Sequence, residues 1–363
     1  MSKYLPFKDL LVVELSSVLA GPLAGSFFAE QGARVVKVEH PIHGDVTRSW
    51  KASGEGNNSD ISAYYASANT SKEVVKIDLK SDGGQVWLEE ILSKADVLIQ
   101  NFKEIDLSKF NLEPQDVASR FPDLIHLRLV GFKAESSRLA YDVVVQAETG
   151  FMHMNGSKDG PPTRMPVALM DVLASEQIRS ASLTGLYSRS RGKKGIYSEV
   201  SLERSGLSAL VNRATNYLMN GVEQNRLGSA HPNIAPYGDL IQTGNGRDLV
   251  LAVGNDIQFA SLCRVLKCEQ LITNPKYSSN LKRVRNRSEL LEELQARASN
   301  FNNHDELIEE LTENGVPAGV IRPLSEVYEK ESAKNQLIDE GEVDGRKVVK
   351  PSVVAYSTTV FGK

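Results

Sequence analysis

Residues Val12–Asp45, VVELSSVLAGPLAGSFFAEQGARVVKVEHPIHGD, read as an apolar strand, a tight loop, a helix and a second strand. A polar turn holding Glu39, His40, His43 and Asp45 closes the stretch. That order opens a nucleotide-binding α/β domain, and Glu39 stands where a ribose-binding carboxylate would. A dinucleotide site, however, places G-x-G-x-x-G between strand and helix so that the backbone can approach a pyrophosphate. Here the turn is Leu19-Ala20-Gly21-Pro22, with Pro22 where the first helical turn tolerates a missing N–H. The element points to a nucleotide-like ligand and away from the commonest one.

The same pattern runs through the first 130 residues. Apolar, β-branched runs lie at Leu11–Leu15, Arg34–Glu39, Val74–Leu79, Asp96–Gln100 and Leu124–Val130, with helical periodicity at Leu23–Glu30 and Gly84–Lys94. Short continuous strands alternating with helices predict an α/β fold whose parallel sheet is covered on both faces. The polar stretch Lys51–Ser62 is a longer connection than most. A long helix is expected from about Asp171 to Ser190, then a basic turn at Arg191–Gly195, a strand at Ile196–Val200 and a helix from Leu202 to about Met219. Beyond Gly221, HPNIAPYGDLIQT and RDLVLAVG read as a hairpin, and charged helices fill 257–311. GVPAGVIRPLSEV and EVDGRKVVKPSVV are strand-like and are expected to return to the first sheet. A chain of 363 residues is long enough for two structural regions. The divisions fall at 1–200 for the start of a large domain, 201–224 for a linker helix, 225–300 for a small α+β domain, and 301–363 for a return to the large one.

A net charge of −4 offers no basic footprint for nucleic acid or an anionic membrane. No apolar run approaches the roughly 20 residues that span a bilayer. MSKYLPFKDLLVVEL at the start lacks a signal-peptide core, so a cytoplasmic protein is expected. Cys263 and Cys268, five apart on an expected helix, should point to different faces as buried thiols.

Several common sites are missing: there is no Walker A loop, no G-x-S-x-G elbow and no H-E-x-x-H pair. His40 and His43 stand three apart beside Asp45 without a fourth ligand at sensible spacing, so a polar loop is the simpler reading and no metal is expected. The RGKKG run reads as a solvated turn rather than a phosphate site. Asp171 is different, a lone carboxylate between MPVALM and VLA. It could cap the helix by accepting from the first free N–H groups. That is the simpler reading; the functional one is a partly desolvated nucleophile or base. Residue type and position leave both open.

An ordered set of motifs carries a resemblance. V-L-A-G-P at Val18–Pro22, V-V-K-V-E ending at Glu39, G-D-V-T-R at Gly44–Arg48, K-I-D-L-K at Lys76–Lys80 and A-D-V-L-I-Q-N-F at Ala95–Phe102 come first. Tyr141-Asp142 with Gln146-Ala147 and Gly150, D-G-P-P at Asp159–Pro162, Asp171, H-P-N-I-A-P-Y at His231–Tyr237 and A-V-G-N-D at Ala252–Asp256 follow. Together they resemble the family III CoA-transferases, which include formyl-CoA transferases, carnitine CoA-transferases and α-methylacyl-CoA racemases.

The resemblance implies a Rossmann-like large domain built from both chain ends, a smaller domain between, and two subunits interlocked as a homodimer. It implies an acyl-CoA:carboxylate CoA-transferase in which Asp171 attacks the thioester, forming an aspartyl anhydride and then an aspartyl-CoA thioester. Coenzyme A, as acyl-CoA, would lie along Val18, Leu19 and Ala20, with His40 near its ADP phosphates. Ile77, Asn101 and Phe102 would flank the adenine end and the pantetheine path, and Lys109 and Arg138 would supply positive charge. Tyr141 occupies the position where the racemases carry a catalytic His, and tyrosine, with a reference pKa near 10, is a poor base at neutral pH. Leu19 stands where formyl-CoA transferases have Gln, which argues against oxalate or formate. Thr70 and Ser71 interrupt a basic pattern and leave Lys72 as its remaining charge. The alternatives are a racemase of the same fold and a catalytically inert CoA-binding homologue.

Overall fold

The computed structural model describes residues 4–56, 59–133 and 138–361, and the chain divides into two compact units. The first takes 1–151, 164–223 and 334–363; the second takes 152–163 and 224–333. Asn57 and Asn58 of the long polar connection lie outside the described residues. Among the described residues no helix is long and apolar enough to cross a membrane.

The first unit is built on six strands: β1 Leu11–Leu15, β2 Arg34–Glu39, β3 Glu73–Lys76, β4 Val97–Gln100, β5 Ile125–Val130 and β6 Ile196–Ser201. They lie in the order β3-β2-β1-β4-β5-β6 with every pair parallel. All four residues of β4 and four of the five in β1 are buried, as strands covered on both faces must be. The connections carry α1 (Ala20–Glu30), α2 (Ala63–Asn69), α3 (Asp82–Leu92), α4 (Glu104–Leu107), α5 (Pro114–Arg120), α6 (Asp142–Glu148), α7 (Phe151–Met154) and α8 (Leu169–Ser190). Phe27 and Phe28 of α1 and Met170, Ala174 and Ile178 of α8 share one buried cluster with Val12, Ile99 and Leu127. On the other face Leu88, Leu92 and Val117 pack with Val13 and Leu98.

Boundaries shift where local chemistry differs from periodicity. The first helix starts at Ala20, not Leu23, because Pro22 falls inside its opening turn, where its missing N–H costs nothing. The helix expected over 202–219 is two, α9 (Leu202–Ala209) and α10 (Val211–Asn220), separated where Val211 takes φ 33°. In α3 a Cβ added at Gly83 meets nothing within 4 Å. Gly83→Ala is expected to stabilise the protein by about 0.5 kcal/mol, read as a higher urea midpoint, since alanine restricts the unfolded chain more.

The second unit holds a three-stranded antiparallel sheet, β7 (Tyr237–Gln242), β8 (Asp248–Ala252) and β9 (Ala318–Val320), in the order β7-β8-β9. Helices α11 (Asp256–Val265), α12 (Asn280–Arg285), α13 (Arg287–Ala298) and α14 (His304–Glu313) accompany it. GVPAGV therefore pairs with β8 and does not return to the first sheet. The unit runs past residue 300 to Ala333 because Leu307 and Leu311 of α14 fill its core beside Leu249, Leu262 and Leu290. The last strands, β10 (Leu337–Val343) and β11 (Arg346–Pro351), belong to the first unit but form their own antiparallel hairpin. Val348 of that hairpin packs with Ile61, Tyr65 and Ala66 at α2, and Lys350 makes a buried pair with Glu30 at 2.6 Å. The two cysteines are buried as expected but do not share one helix. The helix ends at Val265, Lys267 turns the chain at φ 55°, and the Cys268 N–H donates to the Cys263 carbonyl at 2.8 Å.

Candidate active site

In an open parallel sheet, ligands bind outside the carboxyl ends of the strands where the strand order reverses. Here that point lies between β1 and β4, and a cavity of about 360 Å³ opens there. It gathers His40, Ile77, Asn101 and Phe102 with Ser16, Ser17 and Glu39. Asn101 and Ser17 clasp each other: Ser17 N–H donates to Asn101 Oδ1 at 3.3 Å and Asn101 Nδ2 donates to the Ser17 carbonyl at 3.2 Å. Phe102 stacks on Phe110 with centroids 4.6 Å apart, offering a flat apolar wall. His40 is exposed, its Nδ1 accepting from the N–H groups of Ile42 and His43, so the neutral ring carries its proton on Nε2. The Ser16 hydroxyl is buried and has no partner among the described residues.

Glu39 is not free to hold a ribose. Arg48 Nε donates to its Oε2 at 2.8 Å, and Arg48 Nη2 and the Tyr65 hydroxyl both donate to Oε1. Lys109 and Arg138 do not line the cavity. Lys109 is exposed and paired with Asp106 at 2.7 Å. Arg138 lies 4.3 Å over the Phe132 ring and pairs with Glu148. Tyr141, 56% exposed, is the N-cap residue of α6 and makes no side-chain cap.

Asp171 is the third residue of α8 and not its cap; the cap position is Ala168. The helix start is served from outside. Asp142 Oδ1 accepts from the Met170 N–H at 2.6 Å and its Oδ2 from Gln146 Nε2, while Gln146 Oε1 accepts from the Met165 N–H at 2.8 Å. The pair, one turn apart on α6, clips both ends of the segment leading into α8. That frees the Asp171 carboxylate to turn inward, where it is 8% exposed and faces the Ala20 backbone N–H. Burial and the neighbouring negative charge of Asp142 push Asp171 up to about 7, against the pull of the Ala20 N–H. Tyr64 of α2 stands in the field of Asp171, Asp142 and Asp45, which with burial pushes its phenol up to about 12. It therefore stays a hydroxyl donor beside these carboxylates, and Trp50 meets its ring edge-on at 5.1 Å.

Val18, Leu19 and Ala20 form the turn between cavity and carboxylate. Val18 has φ 72°, and its N–H donates to Asp45 Oδ2 at 3.3 Å. Beneath the turn, Lys37 Nζ lies 3.0 Å from both Asp45 and Glu14, and Lys72 Nζ lies 2.6 Å from Glu14. The Lys72 side chain is fully buried, so its charge belongs to this cluster and not to a surface contact. The missing glycine fingerprint is replaced by Gly21 and Gly25, one turn apart. A Cβ at Gly21 would stand 2.2 Å from Ser16 Oγ, and one at Gly25 2.0 Å from Glu14 Oε2. Tyr64, the Asp142–Gln146 clip and the buried cluster escaped the sequence reading. The i,i+4 spacing of Asp142 and Gln146 was the one available signal for the clip.

Known proteins resemble the chain over nearly its whole length. The family model "CoA-transferase family III" matches residues 7–359. A succinate–glutarate CoA-transferase of Agrobacterium fabrum is 35% identical, covering 89% of this chain and 82% of the relative. A human succinyl-CoA:glutarate CoA-transferase is 33% identical over 98% of this chain and 82% of its own length. The crystal structure of a CAIB/BAIF family protein from Brucella suis superposes with a TM-score of 0.82 at 31% identity, covering 98% of this chain and 93% of that one. Sequence and fold agree along both units, and the chain is a CoA-transferase that belongs to family III.

Proposed function

We propose that the protein moves coenzyme A from an acyl-CoA thioester to a free carboxylate, with Asp171 as the covalent carrier. The observation that carries this reading is the desolvated Asp171 carboxylate facing the Ala20 backbone N–H, one turn of chain away from the cavity at the sheet switch point. A CoA nucleotide in that cavity, against Ile77 and Phe102 and with its phosphates toward His40, leaves the pantetheine to cross Val18–Ala20 toward Asp171. Asn101 supports that path by fixing Ser17. Lys109, Arg138 and Tyr141 act, on this reading, from the rim.

The exchange balances without an external base. An Asp171 oxygen attacks the thioester carbonyl, the C–S bond breaks, and CoA leaves as thiolate, giving a mixed anhydride. The thiolate attacks the aspartyl carbonyl and expels the first carboxylate, leaving an aspartyl-CoA thioester. The acceptor carboxylate enters by the reverse of these two steps and leaves as the new acyl-CoA. Splitting the exchange into acyl transfers divides one high barrier into lower ones. In two of the four steps the aspartyl carbonyl itself becomes the oxyanion, so the Ala20 N–H is placed to stabilise it.

The relatives named above act between succinate or succinyl-CoA and glutarate, which makes small dicarboxylates the first acceptors to test. The reading includes an interlocked homodimer, a Rossmann-like large domain built from both chain ends, and work in the cytoplasm. A racemase needs a second base opposite Asp171, and Tyr141 is a poor one at neutral pH. Exchange of CoA between acyl-CoA and a panel of carboxylates, with hydroxylamine trapping of an Asp171 adduct, tests the proposal. Exchange of the substrate α-proton with deuterated solvent and no CoA exchange would identify the racemase instead. CoA binding with neither exchange would identify the inert homologue. The kcat/KM profile is expected to fall on the acid side with an apparent pKa near 7, since only the ionised Asp171 attacks.

A further inference from the structure

Four charged side chains lie under the β1–α1 turn and take no part in the chemistry described above. Val18 takes φ 72°, a region that a β-branched residue enters only where its surroundings impose it. Its N–H is received by Asp45 Oδ2 at 3.3 Å, and that carboxylate is 3.0 Å from Lys37 Nζ. Lys37 also donates to the Ser16 carbonyl at 2.8 Å, and Lys72 donates to the Pro22 carbonyl at 2.8 Å. The two lysines therefore hold the turn by a carbonyl on either side of Val18. Glu14 ties them together, one oxygen on each, and none of the four side chains is more than 1% exposed. The charges cancel, two of each sign. Apolar side chains of similar volume would commonly stabilise a fold as well as a buried ion cluster does. The cluster is better explained by what it holds, because two residues beyond Val18 the Ala20 N–H faces the Asp171 carboxylate and favours its ionised form.

We propose that Asp45, backed by Lys37, Glu14 and Lys72, is the positioning residue of the active centre. It holds Val18 in its strained conformation and so keeps the Ala20 N–H turned toward the Asp171 carboxylate. None of the four touches the reacting atoms. The functional meaning of this device rests on Asp171 being the nucleophile; the device itself does not.

The test is Asp45→Asn, read by two measurements. The first needs no activity: the pH dependence of the stability difference between each protein and its Asp171→Asn counterpart reports where Asp171 ionises. The second is the acid limb of kcat/KM for acyl-CoA. The groups facing Asp171 are Asp142 from α6 and Tyr64 from α2, and Asp45 in turn faces Tyr64. Loss of the Asp45 charge acts through the field to lower the Asp171 midpoint. Withdrawal of the Ala20 N–H raises it, by about one pH unit. The expected result is an upward shift of both midpoints by about that amount, and Val18→Gly in the same protein should reverse it, because glycine holds a positive φ unaided. Should Asp45→Asn not fold, Asp45→Glu keeps the charge beside Lys37, displaces the acceptor by one methylene and carries the same expectation. Lys350→Met, which breaks the remote buried pair with Glu30, should lower the melting temperature and leave both midpoints in place. A lower melting temperature for the Asp45 variants with unmoved or lowered midpoints overturns the proposal and makes the cluster merely structural. A raised stability midpoint with an unmoved kcat/KM limb upholds the device and rejects Asp171 as the nucleophile.

Discussion

Asp171→Asn is expected to remove at least about 10³-fold from kcat and, at the same time, to make the protein harder to unfold at neutral pH. The two effects have one cause. A carboxyl group held at about 7 in the folded protein, against an ordinary value of 3.8, binds its proton more tightly folded than unfolded. Its contribution to stability is therefore full below about pH 4 and is lost as pH rises through 7. Above pH 7 the folded protein carries a desolvated anion that unfolding would relieve. At about 1.36 kcal/mol per unit this amounts to at most roughly 4 kcal/mol, and a gain of about 2 kcal/mol is expected once the amide has found its own partners. Urea unfolding of both proteins at pH 8 and at pH 5 checks the sign: the advantage of asparagine should be clear at the first and much smaller at the second. Equal stabilities at pH 8 would mean that Asp171 is not strained by its site. Undiminished CoA exchange would remove it from the mechanism altogether.

Gly25→Ala is expected to cost about 3 kcal/mol or more, a large loss for a single methyl group. The new Cβ would stand 2.0 Å from Glu14 Oε2 and 3.1 Å from Lys72 Nζ. A flexible surface carboxylate would swing aside. Glu14 cannot, because its side chain is fully buried and each oxygen is tied to a lysine. Either α1 lifts from β1, opening the core around Phe27 and Phe28, or the ion pairs separate and leave uncompensated buried charge. Both routes cost several kcal/mol. The measurement is the urea midpoint, with Gly83→Ala as the companion in which the same substitution meets open space. If Gly25→Ala unfolds at the wild-type midpoint, helix and ion cluster are not in rigid contact.

Much of the large unit was legible because its information is local. β1 and β2 fall on the residues that alternation and apolar runs predict, and the order of strand and helix requires the parallel sheet. His40, Ile77, Asn101 and Phe102 meet in one cavity because each follows a strand, and strand ends converge at the switch point. Asp171 was visible as an oddity, a lone carboxylate in an apolar run, but only the family resemblance lent it a role. What stayed hidden depends on contacts distant in the chain. Asp142 meets the Met170 N–H across 28 residues, and Tyr64 approaches Asp171 from another helix. Nothing local distinguishes Lys72 or Lys37 from surface lysines until the fold buries them. Lys109 and Arg138 have nearby acids, Asp106 and Glu148, that a reading for positive charge passes over. GVPAGV looked like a strand and is one; which sheet it joins is a matter of topology, to which strand propensity is blind.

The threading of the chain through the two units bears on how the molecule is made. The unit that carries Asp171 and Tyr64 is interrupted by residues 224–333 and finishes only with 334–363. Those last residues supply Val348, packed against Ile61, Tyr65 and Ala66, and so brace the helix that presents Tyr64. Domains tend to fold as units while a chain leaves the ribosome, the earlier before the later. Here the earlier one must wait. Its sheet can assemble during synthesis, but the helix beside the carboxylate gains its backing only after the other unit has been made in full. A chain terminated before residue 334 would emerge with the Asp171 carboxylate present and the helix beside it unbraced.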